Sequence, residues 1–262
     1  MATTPDALAL PVPRRGSAVL RLRIALVAGV LAVWQAVALS GLLFRDVVPP
    51  LGVIAAAVVR LLGDPAFHVN LGVTLAEIGV ALLIGGLAGL AVGLTLGANR
   101  FLARAFEPYV YYLGPTPKII FFPILIMWFG VGPGSKVAMG ALSCFFPIAI
   151  SVAAGMRQIE PVLIRVGRSF RASPWQMLTR IYLPAMRVPM VNGLRLGLGI
   201  AIIGTLLAET KLSNKGLGYL IIQAFSLFDM PRMYALLILL FVISIGANSL
   251  VGRLAGRGSR RA

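Results

Sequence analysis

Few side chains in this sequence could do chemistry, and most of those lie inside apolar runs. Lys118 stands among Pro115, Pro117 and Pro123 at the start of one such run. A cation inside a membrane span is costly and marks function, and here it would attract an anionic solute. Its alternatives are to snorkel to an interface or to pair with an acid such as Glu107. Glu209, at the end of a later run, would either gate a path or cap the connection that follows, or pair with Lys211 or Lys215. Glu77 is open to the same range of readings. Ser143, Asn192 and Thr205 would line a polar path or make helix-to-helix hydrogen bonds, the usual use of such residues in membranes. One cysteine, Cys144, and one histidine, His68, exclude an internal disulfide and a CxxC-type metal site. No GxxxxGK[ST] loop is present to cradle phosphates.

The elements that must carry these residues are set by composition. Of 262 residues, 59% are hydrophobic and 12% are charged, with a mean hydropathy of +0.93. Soluble domains carry roughly a quarter charged residues, so a soluble domain is excluded. Apolar runs fall at 22–43, 72–98, 108–129, 136–155, 188–208 and 233–252. Backbone groups in lipid must be satisfied within their own segment, so each run predicts a helix. The expected architecture is all-α, a polytopic membrane protein of about six transmembrane helices at roughly 20 residues each. Residues 1–21 read as a polar tail, 22–252 as the membrane domain with a loop at 156–187, and 253–262 as a basic tail. The first run is too long for a signal-peptide core and reads as a retained span. The prolines at 115, 117 and 123 predict a third span kinked or broken at its start. Gly85, Gly89, Gly93 and Gly97 share one helix face, which allows close helix approach or, as the other reading, lines a pore.

The formal net charge of +16 follows this topology. With the N-terminus inside, the inner segments hold Arg14, Arg15, Arg21, Arg23, Arg100, Arg104, Arg157, Arg165, Arg168, Arg171, Arg180, Arg187, Arg253, Arg257, Arg260 and Arg261. The outer segments hold only Arg45, Arg60, Lys136, Lys211, Lys215 and Arg232. This bias predicts both termini in the cytoplasm and explains the basic balance without a nucleic-acid partner. Between the spans, 51–62 reads as a short amphipathic helix at the outer surface, and 209–232 as a polar outer connection.

The long loop is the most informative stretch. Ser173 followed by Pro174 is a helix-start signal. Trp175, Leu178, Ile181 and Tyr182 recur at helical spacing, and Pro184 is expected to stop that helix. The loop therefore reads as two short helices joined near Arg171 to Ser173. The apolar face of this hairpin would rest on its own membrane domain, on lipid headgroups, or in a groove of a soluble partner.

This loop resembles the EAA motif of bacterial ABC importer permeases, which runs E-A-A, three residues, G, nine residues, I-x-L-P. Ile181-Tyr182-Leu183-Pro184 matches its end. Counting back places the glycine position at Arg171 and the E-A-A position at Arg165-Val166-Gly167. Gly114-Pro115-Thr116-Pro117-Lys118, Trp128-Phe129-Gly130-Val131-Gly132, Phe146-Pro147, Ala208-Glu209 and Gly216-Leu217-Gly218-Tyr219 extend the resemblance over about residues 50 to 250, toward the nitrate/sulfonate/taurine class. The resemblance implies a type I ABC importer fold in the bacterial inner membrane. It implies a second permease copy or paralogue, a cytoplasmic ATPase dimer, and a periplasmic substrate-binding protein. ATP would be bound by the ATPase and no cofactor by this chain, which would not itself be an enzyme. Arg165, Gly167, Arg171, Ala172, Ser173, Trp175, Leu178, Ile181, Leu183 and Pro184 would then form the ATPase-coupling loop, and Lys118, Ser143, Asn192 and Glu209 would belong to the translocation path. The competing class is an ATP-independent secondary transporter or channel, which has no need of a cytoplasmic helical hairpin. A membrane scaffold that binds a cytosolic partner is a third reading.

Overall fold

A computed structural model of the chain describes residues 15–41 and 47–259. Most of the N-terminal tail, the last residues of the first apolar run and the final three residues lie outside this description. All regular structure among the described residues is helical. Two compact units divide the chain between Ala56 and Ala57.

The first unit holds α1 (Arg15–Ser40) and the start of α2 (Leu51–Leu62). Over Ala18–Ser40, α1 is long and apolar enough to cross a membrane. Trp34 donates its indole N–H to the Pro49 carbonyl at 3.1 Å, and Leu51 donates its N–H to Gln35 Oε1 at 3.0 Å. Together these bonds fix where α2 begins.

The second unit is organised by α3 (Pro65–Ala98), α6 (Pro133–Arg157) and α10 (Arg187–Lys211). Asp64 caps α3 by accepting from Ala66 N–H at 2.9 Å, with Pro65 at its first position, so the helix starts seven residues before its apolar run. The predicted glycine face packs directly on α6. A Cβ on Gly89 would lie 2.8 Å from the Phe145 carbonyl, and one on Gly93 would lie 2.6 Å from that of Ala149. Gly97 meets Met156 in the same way. The pairing order shows α3 and α6 running parallel. Gly193 against Ser151, Gly197 against Ile148 and Gly204 against Ser143 show α10 running antiparallel to α6. Small residues let backbones approach where dispersion, not water exclusion, holds helices together. The glycine face is a packing seam, and Cys144 is buried beside it.

One expectation about a break is met, and three about other elements change. The third apolar run is broken near its start, as its prolines predict. It is α4 (Arg100–Leu113), then a 3₁₀ turn (Lys118–Phe121) and α5 (Phe122–Phe129), with a bend of 92° between the two parts. Pro115 and Pro117 each lack an N–H, so the helix cannot continue through them. Counting this bent pair as one, six helices or pairs among the described residues are long and apolar enough to cross a membrane. The connection after α10 is not simply polar. It contains α11 (Leu217–Ser226), a helix roughly 15 Å long at 1.5 Å per residue, half the thickness of a bilayer core. Its Leu217, Leu220 and Ala224 are buried with Ala57, Leu61 and Phe67 and with Ala235 and Leu236 of α12 (Met230–Ser259). The 51–62 helix forms as expected, but Ala57 and Leu61 bury against protein. Lys136 is not a loop cation; it is wholly buried in the first turn of α6.

Gly93→Ala places a methyl group against backbone and should destabilise the α3–α6 contact by about 1–3 kcal/mol. Gly79→Ala on the same helix meets nothing within 4 Å and should be neutral or better. Thermal unfolding in detergent, compared between the two variants, checks this; equal midpoints would remove the seam.

Candidate functional site

The loop between α6 and α10 folds as a helical hairpin. Its first arm is α7 (Pro161–Ser169). The arm ends in a left-handed cap: Arg171 N–H donates to the Arg168 carbonyl at 2.9 Å and Ala172 N–H to the Gly167 carbonyl at 3.0 Å. These are the two bonds of a Schellman motif, and Arg171 occupies its left-handed position with φ 51°. The family motif has glycine at this position, and the backbone keeps the geometry that glycine favours although the residue is arginine. Arg165 is exposed on the outer side of the arm.

The second arm starts as its sequence predicts. Ser173 Oγ accepts from Gln176 N–H at 3.3 Å, and Gln176 Oε1 accepts from Ser173 N–H at 2.8 Å, a reciprocal capping box. From α8 (Pro174–Met177) the arm continues through a π-helical turn (Leu178–Tyr182) into α9 (Leu183–Ala185). Pro184 therefore does not stop the helix. A proline ring clashes with the carbonyl four residues back, and the wider π turn relieves that crowding. Leu183 N–H donates to the Leu178 carbonyl, five residues back.

Gly167 joins the arms. A Cβ there would lie 2.5 Å from Met177 Sδ and would also strike Ile181 Cδ1. Leu178, Ile181 and Tyr182 are half-buried. Tyr182 and Ile164 pack against Met156, Ile159 and Met186, so the hairpin's inner face rests on its own membrane domain. Trp175 does not join that face. It is 71% exposed, as is Phe170 at 82%, with Val162, Leu163 and Val166 also exposed on α7. Leu183 is half-buried and Pro184 exposed. The outward apolar set is therefore Val162, Leu163, Val166, Phe170 and Trp175, of which sequence spacing indicated only Trp175.

The four path candidates have separate surroundings. Lys118 is half-buried in the break between α4 and α5, where its ammonium donates to the Gly114 carbonyl and, at 3.2 Å, to that of Thr116. It also lies 4.9 Å from the centre of the Phe146 ring. It does not pair with Glu107, which instead takes a bidentate bond from Arg157 at 2.6 and 2.7 Å. Ser143 is buried and donates to the Met139 carbonyl at 2.7 Å. Asn192 is exposed in a groove of about 460 Å³ at the hairpin end, with Ser151 and Gln158.

Glu209 lies at the opposite end and is wholly buried. It caps the connection to α11. The N–H groups of Gly216, Leu217 and Gly218 donate in turn to Asn70 Oδ1 at 2.7 Å, Thr74 Oγ1 at 2.8 Å and Glu209 Oε2 at 2.6 Å. The Thr74 hydroxyl in turn donates a hydrogen bond to Glu209 Oε1 at 2.7 Å. Asn70, Thr74 and Lys136 were not marked by sequence reasoning as site residues. The usable signal was Asn70, Thr74 and Glu77, polar residues three and four apart on an otherwise apolar helix.

With this geometry in place, comparison with known proteins identifies the family. Residues 81–260 match the binding-protein-dependent transport system inner membrane component, and the chain belongs to that family. It is an ABC importer permease. A probable ABC transporter permease protein of Haemophilus influenzae is 34% identical over 173 residues, covering 66% of this chain and 71% of the relative. The taurine transport system permease protein TauC of Escherichia coli is 28% identical over 242 residues, 89% of this chain and 88% of TauC. The putative aliphatic sulfonates transport permease protein SsuC of Bacillus subtilis is 29% identical over 224 residues, 85% and 80% of the two chains. Among solved structures, an inward-facing form of the MetNI methionine ABC transporter shares the fold, with a TM-score of 0.65 at 21% identity over 78% of this chain and 97% of that one.

Arg171→Gly should relieve the left-handed strain, and after glycine's greater chain entropy is subtracted the hairpin should gain about 0.5–1 kcal/mol. Hydrogen exchange at Ala172 N–H, which closes the turn, should slow by a few-fold; faster exchange would show that the arginine side chain itself holds the turn.

Proposed function

We propose that this permease moves a small anion of the sulfonate, taurine or nitrate kind across the bacterial inner membrane, powered by a separate ATPase dimer that receives the 156–187 hairpin. The observation that carries this reading is the hairpin itself. It is braced on α6 and α10 by its inner face and leaves Phe170 and Trp175 uncovered. Exposed aromatics on a rigid mount are what a groove on a soluble partner would bury. ATP binds and is hydrolysed on that partner, and this chain binds no cofactor and is not itself an enzyme. A second copy of this chain or a paralogue completes the pathway within the bilayer, and a periplasmic binding protein delivers the solute at the Glu209 end. Both termini are cytoplasmic, with residues 1–21 and 253–262 as tails on the domain 22–252. The anion is supported by the names of the taurine and aliphatic-sulfonate relatives and by Lys118, whose ammonium is held by two carbonyls and not by a carboxylate.

Trp175→Asp should abolish co-purification with the ATPase in detergent while leaving membrane insertion intact, because this exposed side chain leaves no hole. Survival of the complex would remove the docking role. Lys118→Gln keeps an N–H donor for the Gly114 and Thr116 carbonyls but loses the charge. Uptake of an anionic solute into proteoliposomes should fall about tenfold, equivalent to 1.4 kcal/mol, with the complex still assembled. Unchanged uptake would leave Lys118 only the task of bridging the break.

A further inference from the structure

Three titratable side chains on three different helices are buried at the end opposite the hairpin, and the transport reading uses none of them as a group. Glu77 on α3 is 4% exposed, while Lys136 on α6 and Glu209 on α10 are fully covered. The two carboxyl groups are within hydrogen-bond contact of each other. Lys136 stands at the same level, one turn from Gly140, and acts on them through the low-dielectric interior rather than by an ion pair within 4.0 Å. One turn deeper the same three helices meet at Ala81, Gly140 and Thr205. A Cβ on Gly140 would lie 2.8 Å from the Ala81 methyl, so no room for bulk water exists beneath the cluster.

Donors and acceptors decide how the charges are arranged. The Thr74 hydroxyl accepts from Leu217 N–H and so donates its one hydrogen bond to Glu209 Oε1. Glu209 Oε2 accepts from Gly218 N–H. Both oxygens of Glu209 are therefore acceptors, the arrangement that favours a carboxylate. Two carboxyl groups in contact need a proton between them, and only Glu77 can supply it. Glu77 Oε2 has no hydrogen-bond partner, which a neutral acid tolerates far better than a buried anion does. The sum is one carboxylate, one ammonium and one neutral acid, with no net charge left in a low-dielectric site.

We infer that Glu77, Lys136 and Glu209 form one charge-balanced unit, with Glu209 ionised and Glu77 holding the shared proton, and that this unit positions two connections at once. Glu209 holds the 216–218 backbone at the start of α11. Lys136 donates to the Val131 carbonyl in the turn between α5 and α6. Gly216, at φ 102°, has the Glu209 carboxylate where a side chain would stand, so the loop is moulded onto this group. Glu209 and Lys136 are thus positioning residues for the outer mouth of the permease. The assignment goes beyond the transport reading and does not depend on the identity of the solute.

The test is hydrogen–deuterium exchange of the full chain in nanodiscs, read on peptides covering 129–133 and 214–219. Glu77→Gln, which replaces a neutral donor by a neutral donor, should change exchange less than about twofold at both peptides. Glu209→Gln and Lys136→Met should each speed exchange about tenfold or more at both, because each leaves the other's charge unbalanced. The double variant Lys136→Met with Glu209→Gln is neutral again and should recover part of the protection. Glu77→Gln acting as strongly as Glu209→Gln would overturn the proton assignment. A Glu209→Gln effect confined to 214–219 would overturn the idea of one unit. Should the single variants fail to accumulate in membranes, the double variant should accumulate; its failure to do so would overturn the charge balance.

Discussion

In a bilayer every backbone N–H and C=O must find a partner within the protein, and the rest of this structure depends on that requirement. Helix satisfies it along the spans. At three of the places where helix is interrupted, side chains cover the freed backbone groups. The ammonium of Lys118 serves the Gly114 and Thr116 carbonyls at the proline break. Lys136 serves Val131 at the next turn. Asn70, Thr74 and Glu209 serve three consecutive N–H groups at the start of α11. The charged residues that look most like a transport path are also the ones that make broken backbone tolerable at membrane depth. The two uses are compatible, since a break covered by a charged side chain is a place where helices are not sealed by their own hydrogen bonds.

Close helix packing is the second condition. Gly85, Gly89, Gly93 and Gly97 on α3, and Gly193, Gly197 and Gly204 on α10, bring both helices against α6 with backbone in contact with side chain. Such contacts leave little freedom to slide. A force applied to the hairpin, which joins the end of α6 to the start of α10, would therefore move these helices as bodies rather than bend them locally. Ile164 and Tyr182, packed on Met156, Ile159 and Met186, are the side chains through which the hairpin bears on the bundle.

The family motif survives here in shape where it fails in letter. Arg171 takes the left-handed conformation that glycine adopts freely, because two cap bonds and the packing of Gly167 on Met177 and Ile181 hold the turn. Gly167, at the last of the E-A-A positions, is the contact point between the arms, so the absence of a side chain there matters more than any charge at Arg165. The π turn before Pro184 has the same logic: the proline is kept and the helix widens around it.

The sequence by itself determined the all-helical membrane architecture, the position of the hairpin and its capped second arm. These follow from local rules: long apolar runs must be helices in lipid, Ser173 and Pro174 start a helix, and glycines four apart share a face. The broken third span was legible for the same reason, since a proline's missing N–H acts on its own neighbourhood. Only the tertiary structure decided which apolar residues of the hairpin face outward, that α11 is a buried half-length helix, and that Lys136 leaves the loop count to join Glu77 and Glu209. These outcomes depend on contacts between residues far apart in the chain, such as Thr74 with Glu209. A lysine near the end of an apolar run looks the same in sequence whether it meets solvent or two carboxyl groups from other helices; the packing of those helices decides between them.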